Sequence, residues 1–131
     1  MAQIRVITFG TFDVFHVGHL RILKAAKDQG DHLSVGVSSD QFSFSKKGKR
    51  PVYAESERCE IVRSLKYVDD VFIEDSFELK RDYIIQHKAN ILIMGSDWQG
   101  KFDEFNDICE VVYLPRTPSI STSAIIEKIR E

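Results

Sequence analysis

The sequence contains little cysteine, proline or tryptophan. Its 131 residues include 2 cysteines, 3 prolines and 1 tryptophan. Cys59 and Cys109 lie far apart within apolar segments, which favours reduced core thiols over a disulfide framework. No apolar run approaches the ~20 residues of a membrane span, and the amino terminus lacks a signal-peptide pattern. These absences predict a cytoplasmic protein without a membrane-spanning segment.

The sequence also lacks a charge excess of either sign. The 18 Lys and Arg residues nearly balance the 20 Asp and Glu residues, giving a formal net charge of -2. Such a charge provides no overall attraction for nucleic acid or an anionic membrane, so any anion must be bound by local clusters. The composition, 43% hydrophobic and 29% charged, is typical of a globular protein. The length predicts one domain spanning residues 1–131.

The segment 4–19, I-R-V-I-T-F-G-T-F-D-V-F-H-V-G-H, contains the most informative motif. The β-branched apolar run from Ile4 to Phe9 predicts a buried strand, and helical spacing begins at Leu20. His16 and His19 therefore lie at the start of a helix, where free amides and the helix dipole attract phosphate. Imidazoles placed there can donate hydrogen bonds to the oxygens that carry charge during phosphoryl transfer.

Two other interpretations of the histidine pair are open from these residues. Both histidines could be ordinary turn or core residues, although a pair around Gly18 after a strand makes this less common than for one histidine. They could also bind a metal ion, but histidines at i and i+3 without a nearby third ligand make a poor zinc site. We therefore favour contact with a phosphate and expect no metal-ligating residues.

Alternating strand and helix signals follow along the chain. Apolar runs predict strands at 32–39, 68–74, 89–95 and 109–114, and helical spacing predicts helices over 20–29, 56–66, 77–87 and beyond residue 119. A strand, a helix and a strand within about 35 residues form a βαβ unit with parallel pairing. The expected fold class is α/β, a Rossmann-like three-layer α/β/α arrangement with a five-stranded, mainly parallel sheet.

Local patterns give more detailed expectations. The run 89–95 is the most continuous apolar segment and predicts the central strand. Residues 40–53 are expected to form a polar loop, and Ser56 is expected to cap the next helix. Arg58 on that helix is expected to be a charge exposed to solvent or to an interface. The last helix is expected to turn three isoleucines inward: Ile125, Ile126 and Ile129.

Three polar segments follow predicted strands, at the edge where ligands bind in open parallel sheets. A basic loop from Lys46 to Arg50 could close over a triphosphate. Asp97 is placed to orient a ribose hydroxyl, a magnesium ion or the loop backbone. Arg116 offers planar donors for phosphate, and hydroxyl residues then open the last helix: Ser119, Ser121, Thr122 and Ser123. Such hydroxyls are usually caps, but the preceding arginine favours a second phosphate-binding helix N-terminus.

Three motifs, in this order, resemble those of the cytidylyltransferase-type nucleotidyltransferases: G-T-F-D-V-F-H-V-G-H, M-G-S-D-W-Q-G-K-F-D, and R-T followed by I-S-T. The second motif is closely similar to one in the glycerol-3-phosphate cytidylyltransferase family. The resemblance implies transfer of a cytidylyl group from CTP to sn-glycerol 3-phosphate with Mg²⁺, in a homodimer, for teichoic-acid or capsule precursors. The chain departs from the family pattern at Ser119, where the family has glycine and a close backbone contact.

The resemblance also implies site residues. The acceptor phosphate would attack the α-phosphorus directly, with His16 and His19 holding the α-phosphate and the bridging oxygen. The implied catalytic residues are His16, His19, Lys46 and Arg116. The implied nucleotide-binding residues are Thr11, Phe12, His16, His19, Lys49, Arg116, Thr117, Pro118, Ser119, Ile120, Ser121 and Thr122. The implied acceptor-binding residues are Lys46, Lys80, Asp97 and Trp98, and the family often has a helix arginine near the nucleotide at the position of Arg58.

The sequence leaves open three alternatives to this function. The same fold could use ATP, or another phospho-polyol or a phosphonate as acceptor. A non-catalytic nucleotide-binding or regulatory domain is a second alternative, although the intact H-V-G-H and Arg116 argue against it. Nucleic-acid binding through residues 46–50 is the weakest, because no aromatic residues are interleaved with these basic ones. We therefore expect small-molecule substrates and no nucleic-acid partner.

Overall fold

A single parallel sheet forms the centre of the protein, seen in a computed structural model that describes residues 3–118 and 120–131. The strands are β1 (Arg5–Gly10), β2 (His32–Ser38), β3 (Asp70–Glu74), β4 (Ile91–Gly95) and β5 (Glu110–Leu114). They lie in the order β3-β2-β1-β4-β5, and every neighbouring pair is parallel. Because the order reverses between β1 and β4, a crevice opens there at the carboxyl ends of the strands.

Helices cover both faces of the sheet. They are α1 (Val17–Lys27), α2 (Asp40–Lys47), α3 (Glu55–Arg63), α4 (Lys80–Gln86) and α5 (Thr122–Arg130), and short 3-10 turns span Ser96–Trp98 and Asp103–Asp107. On one face, Leu23 of α1 and Val62 of α3 are completely buried in a cluster with β1, β2 and β4. On the other face, Ile84 of α4 packs with Phe102 and Phe105. The prediction of a three-layer, Rossmann-like α/β/α fold is therefore confirmed.

Both cysteines are free thiols. Cys59 is a buried free thiol within the core, whereas Cys109 is free and half-buried beside the second cluster. In the described part of the chain, none of the helices is long and apolar enough to cross a membrane.

Several local predictions were wrong. β1 rather than β4 is the central strand, because strand order, not the continuity of an apolar run, decides which strand lies in the middle. Residues 40–47 form α2 instead of a loop, since the side chain of Ser39 caps the helix by accepting from the amide of Phe42 at 3.0 Å. Helix α3 is capped at Ala54 rather than Ser56.

The inward stripe predicted for the last helix is also incomplete. Ile125 and Ile126 are half-buried, but Ile129 is 74% exposed. Helix α5 has no fully buried residue among those described, because it lies beside the start of α1 rather than across the sheet.

Candidate active site

The two motif histidines form the start of α1. His16 is the N-cap residue, and its Nδ1 accepts a hydrogen bond from the amide of Gly18 at 3.1 Å. Nδ1 of His19 in turn accepts from the amide of His16 at 3.2 Å. The two rings stack with their centroids 3.8 Å apart. This reciprocal capping satisfies two of the free amides of the helix with imidazole nitrogens.

The hydrogen bonds and burial of the pair define its chemistry. Because both Nδ1 atoms accept hydrogen bonds, the proton of each neutral ring is assigned to Nε2. Burial lowers the pKa of His16, and burial together with the nearby His16 lowers the pKa of His19 to about 4. Near neutral pH, both rings are therefore uncharged Nε2–H donors. They are suited to stabilising charge on phosphate oxygens rather than to carrying a positive charge themselves.

Gly18 is required because the ring of His16 folds back over it. A Cβ atom at residue 18 would lie 2.9 Å from Cε1 of His16 and 3.5 Å from Cγ2 of Ile120. The same neighbourhood opens into an apolar pocket of about 340 Å³ between α1 and α5, whose lining includes His16, Ile120 and Ile125. The first and third sequence motifs therefore meet at this pocket.

The loop between β1 and α1 is held in a strained conformation. Phe12 has φ 55° and Val14 has φ 45°, a left-handed region that costs non-glycine residues about 1–3 kcal/mol each. Phe12 is 5% exposed, and its ring lies 5.4 Å from that of His19. The buried ring holds this part of the loop beside the histidine pair, a pattern typical of functional loops.

Asp13 connects that loop to two other segments, a role that no local sequence pattern predicts. Its carboxylate accepts from the amides of Val52 at 2.7 Å and Tyr53 at 2.9 Å. Its carbonyl accepts from Oγ1 of Thr122 at 2.8 Å, where α5 begins after its cap Ser121. The only sequence signal was the position of Asp13 inside the first motif.

Arg58 contradicts the prediction of a solvent or interface charge, because it is 0% exposed. Its guanidinium donates to the carbonyls of Tyr53 at 2.9 Å and of Thr11 and Ser38, each at 2.8 Å. It also pairs with Asp40 at 2.7 Å. Four acceptors, from two loops, the end of β2 and the start of α2, replace its hydration, which is the condition for burying such a charge. Through its hydrogen bond to the carbonyl of Thr11, Arg58 therefore holds the backbone of the loop between β1 and α1.

Lys46 and Lys80 lie around one aromatic ring. Nζ of Lys46 is 5.5 Å from the centroid of Phe77, and Nζ of Lys80 is 5.7 Å from it. Lys46 also donates to Oγ of Ser38 at 3.1 Å, and burial lowers its pKa to about 8, against the raising effect of Glu74. Lys80 is buried, with only 2% of its surface exposed.

A second pocket, of about 290 Å³, adjoins these lysines. Its lining includes Phe77, Lys80, Trp98 and Phe102. The rings of Trp98 and Phe102 lie 5.4 Å apart, and Trp98 lies 6.1 Å from Phe77. Three of the four predicted acceptor-binding residues, Lys46, Lys80 and Trp98, are therefore gathered around Phe77.

The fourth predicted acceptor residue is paired elsewhere. Asp97 accepts a hydrogen bond from Nη1 of Arg116 at 2.9 Å, and both side chains are exposed. This contact joins the second and third sequence motifs at the same sheet edge, after β4 and after β5. Asp97 therefore pairs with a residue that is predicted to bind the nucleotide, and it does not line the 290 Å³ pocket beside Lys80.

The remaining predicted site residues are less constrained. Lys49 and Pro118 are exposed and Thr117 is half-buried. Within residues 3–118 and 120–131, no hydrogen bond or ion pair joins Lys49 to another predicted site residue. Ser119 lies outside the described residues. The functional roles of all these residues stay predictions.

Comparison with known proteins agrees with this geometry. The family model "Cytidylyltransferase-like" matches residues 7–128, nearly the whole chain. The chain belongs to the cytidylyltransferase-like family. The match spans all three motifs, which are separate in the sequence and meet at one edge of the sheet.

Three known proteins show how far the similarity extends. The chain is 46% identical over 125 residues to the glycerol-3-phosphate cytidylyltransferase of Bacillus subtilis (strain 168), covering 95% of this chain and 96% of that protein. It is 32% identical to the FAD synthase of Pyrococcus horikoshii, covering 98% and 94%. Among solved structures, it is similar to the lipopolysaccharide core biosynthesis protein from Thermoplasma volcanium GSS1, with a TM-score of 0.75, 28% identity, and coverage of 88% and 99%.

Proposed function

We propose that this chain transfers a cytidylyl group from CTP to sn-glycerol 3-phosphate, forming CDP-glycerol and pyrophosphate. The observation that carries the proposal is the stacked pair of uncharged histidines at the start of α1, beside the crevice between β1 and β4. The choice of substrates is supported by the 46% identical relative that is named a glycerol-3-phosphate cytidylyltransferase.

The proposed reaction is a direct displacement at phosphorus. An oxygen of the acceptor's phosphate forms a bond to the α-phosphorus of CTP, the bond from that phosphorus to the β-bridging oxygen breaks, and pyrophosphate leaves with the bonding electrons. Nε2–H groups of His16 and His19 donate to the α-phosphate and the bridging oxygen as charge develops there. No enzyme side chain forms a covalent intermediate.

Other residues would hold the charged groups in line. Arg116 and the start of α5, with Ser121 and Thr122, would bind the β- and γ-phosphates through charge-assisted hydrogen bonds. Lys46 would neutralise charge between the acceptor phosphate and the α-phosphate. Positioning by these groups supplies most of the catalysis, because phosphoryl transfer asks little covalent chemistry of the protein.

We propose that Mg²⁺ enters as part of the nucleotide substrate. The described residues contain no group of three or more His, Cys, Asp or Glu side chains that could hold a metal ion. Mg²⁺ commonly keeps several waters and binds substrate phosphates, so a triphosphate could carry it without a protein cage. The chain's contribution is then to bind the Mg²⁺–CTP complex through neutral and cationic donors.

Finer features of the proposal follow from the same resemblance. We propose that the enzyme is a homodimer in the cytoplasm and that its CDP-glycerol supplies teichoic-acid or capsule synthesis. CDP-glycerol carries a glycerol phosphate group on a good leaving group, and is therefore a chemically reasonable donor for such polymers. Light scattering on the purified protein tests the dimer.

A release assay for pyrophosphate tests the reaction and its substrates. Purified protein with Mg²⁺ is given CTP or ATP together with glycerol 3-phosphate, other phospho-polyols, a phosphonate or FMN. We expect turnover with CTP and glycerol 3-phosphate and identification of CDP-glycerol by mass spectrometry. Preference for ATP and FMN would instead support adenylyl transfer, the activity suggested by the relative named FAD synthase. Tight CTP binding without turnover on any acceptor would indicate a non-catalytic domain.

A further inference from the structure

Glu74 and Lys80 form a buried ion pair beside the candidate acceptor pocket. Nζ of Lys80 donates to Oε2 of Glu74 at 2.6 Å, and each side chain is 2% exposed. Glu74 is the last residue of β3, and Lys80 is the first residue of α4. The ammonium group also lies 3.7 Å from the ring centroid of Phe9. Lys80 is therefore held from one side by a carboxylate and from another by an aromatic face.

Glu74 also lies beside the segment that anchors Lys46. Ser38, which accepts the hydrogen bond of Lys46, is the direct partner of Glu74 in the register between β2 and β3. The amide of Ser39 donates to the carbonyl of Glu74 at 2.9 Å. One carboxylate thus faces two lysines that point toward Phe77 from different helices.

Fold stability alone is a poor explanation for such a pair. Removing two charges from water costs several kcal/mol per ion, and replacing a buried pair by apolar residues is often neutral or stabilising. The pair lies where Lys80 contributes to the lining of the 290 Å³ pocket, next to Phe77 and Trp98. A charge that must be presented to a phosphorylated acceptor requires a buried counter-charge while the site is empty.

We propose that Glu74 is a positioning residue of this pocket, which anchors Lys80 and keeps the ammonium groups of Lys80 and Lys46 charged for the acceptor's phosphate. The inference rests on the proposed function, because it assumes that a phosphorylated acceptor enters the pocket. Glu74 does not touch the reacting atoms and acts only through the two lysines.

The charges around Lys46 give the proposal a measurable sign. Burial lowers the pKa of Lys46 to about 8, the charge of Glu74 raises it, and the charges of Lys47, Lys80 and Arg58 lower it. Burial likewise lowers the pKa of Lys80, and Glu74 opposes this through its charge and hydrogen bond. Removing the carboxylate therefore lets both lysines lose their protons at a lower pH.

The test measures kcat/KM for glycerol 3-phosphate against pH in the full chain and in Glu74→Gln. Activity that needs protonated Lys46 falls as pH rises through about 8. In Glu74→Gln we expect this alkaline limb to move down by about one pH unit or more, the effect of a nearby opposite charge. At pH values above the alkaline limbs of both proteins, a shift of about one pH unit corresponds to about tenfold lower kcat/KM in the variant. The KM for CTP should change much less than the KM for the acceptor.

Matched variants separate this role from a merely structural one. Asp107→Asn removes the carboxylate from an exposed ion pair with Arg81, which follows Lys80 on α4. This variant should leave the alkaline limb of the pH profile unchanged. Glu74→Asp keeps the charge and should restore most of the wild-type limb. If Glu74→Gln does not fold, the double variant Glu74→Gln with Lys80→Met leaves no unpaired buried charge. In this double variant Lys46 should still lose its proton at a lower pH than in the wild type. The reason is that Glu74 raises the pKa of Lys46 more than Lys80 lowers it.

A second readout does not depend on activity. The ¹³Cε resonance of Lys46, assigned by its loss in Lys46→Met, reports its protonation directly and should titrate at lower pH in Glu74→Gln. An unchanged titration and an unchanged alkaline limb would overturn the role of Glu74. If instead the wild-type protein forms no CDP-glycerol but Lys46 titrates as expected, the proposed function fails and the electrostatic coupling stands.

Discussion

Nδ1 of His19 accepts a hydrogen bond from the amide of His16, 3.2 Å away, while the rings of the two residues stack at 3.8 Å. The same nitrogens that cap α1 are therefore occupied, and only the Nε2–H groups are available to a ligand. The pair caps the helix, and in the proposed mechanism it also donates hydrogen bonds to the substrate phosphates. Substitutions can distinguish these two roles.

Replacing His16 by Asn separates capping from catalysis. Asn is among the best N-cap residues and can accept from the amide of Gly18, but it has no group at the position of Nε2. We expect Asn and Ala substitutions of His16 both to reduce kcat by about 10²–10³, the typical cost of one preorganised donor. Only the Ala variant should also lose about 0.5–2 kcal/mol of stability.

Steady-state kinetics and urea unfolding on both variants check this expectation. His87→Ala is a control, because this histidine lies away from the site. It stacks on Phe72 and lies next to the carboxylate of Asp70. Its activity per folded molecule should be unchanged. Near-normal turnover in His16→Asn would refute the role of the Nε2–H group.

His19 should make stability depend on pH in a defined window. Its pKa is about 4 in the folded protein, compared with the ordinary value of 6.5. Between these values the unfolded chain binds more protons, so the free energy of unfolding rises with pH from about 4 to 6.5 and then levels off for this group. The contribution lost on acidification is at most about 3 kcal/mol, at 1.36 kcal/mol per pKa unit.

Urea unfolding of the wild type and of His19→Asn across that window measures the effect. The Asn variant retains an acceptor for the amide of His16 but has no titrating ring. We expect the stability difference between the two proteins to be constant near neutral pH and to decline as the pH falls below 6.5. Parallel stability curves for the two proteins would show that the ring of His19 is not held neutral by folding.

Local and long-range features differed in how far the sequence could predict them. The strand at Ile4 to Phe9 and the histidine motif were predictable because residues close in the chain determine a strand, a turn and a cap. Arg58 was not, because its burial depends on the carbonyls of Thr11 and Ser38, 47 and 20 residues away. A lone arginine on an amphipathic helix gives no signal of acceptors that are brought together only in the folded protein.

The candidate site shows the same limit. Motif order and strand ends were enough to predict that polar segments converge at one sheet edge, since parallel strands present their carboxyl ends together. The partners of each side chain were not predictable: Arg116 is bound to Asp97, and Lys80 is bound to Glu74. These pairs depend on loop conformations that neither periodicity nor spacing encodes.

Removing the Arg58 guanidinium should destabilise the protein and distort the first motif. Arg58→Ala leaves the carbonyls of Thr11 and Ser38 without their donor, and it leaves Asp40 without its counter-charge. Breaking a fully buried pair in this way costs about 3–5 kcal/mol, and because the side chain of Asp40 is 25% exposed we expect a loss near the lower end of this range. Lysine should not rescue the loss, because a single ammonium cannot reach four acceptors in the geometry of a guanidinium.

Chemical denaturation of Arg58→Ala, Arg58→Lys and Arg63→Ala measures these costs. Arg63 is a suitable control because it lies on the same helix and is exposed, so its removal should change stability by no more than about 0.5 kcal/mol. A loss below about 1 kcal/mol for Arg58→Ala would mean that the buried network is not holding the loop.

Arg116 should matter for activity and little for stability. Its pair with Asp97, at 2.9 Å, is exposed, and such pairs contribute about 0–1 kcal/mol. If Arg116 binds the triphosphate, Arg116→Ala should lower kcat/KM for CTP by about 10²–10³ with a nearly unchanged melting temperature. Arg81→Ala is a control away from this site, because it breaks another exposed arginine–aspartate pair, also at 2.9 Å, together with a hydrogen bond to the carbonyl of Glu104. Arg116→Ala should melt no lower than Arg81→Ala, and only Arg116→Ala should be impaired; equal kcat/KM values would remove Arg116 from the nucleotide site.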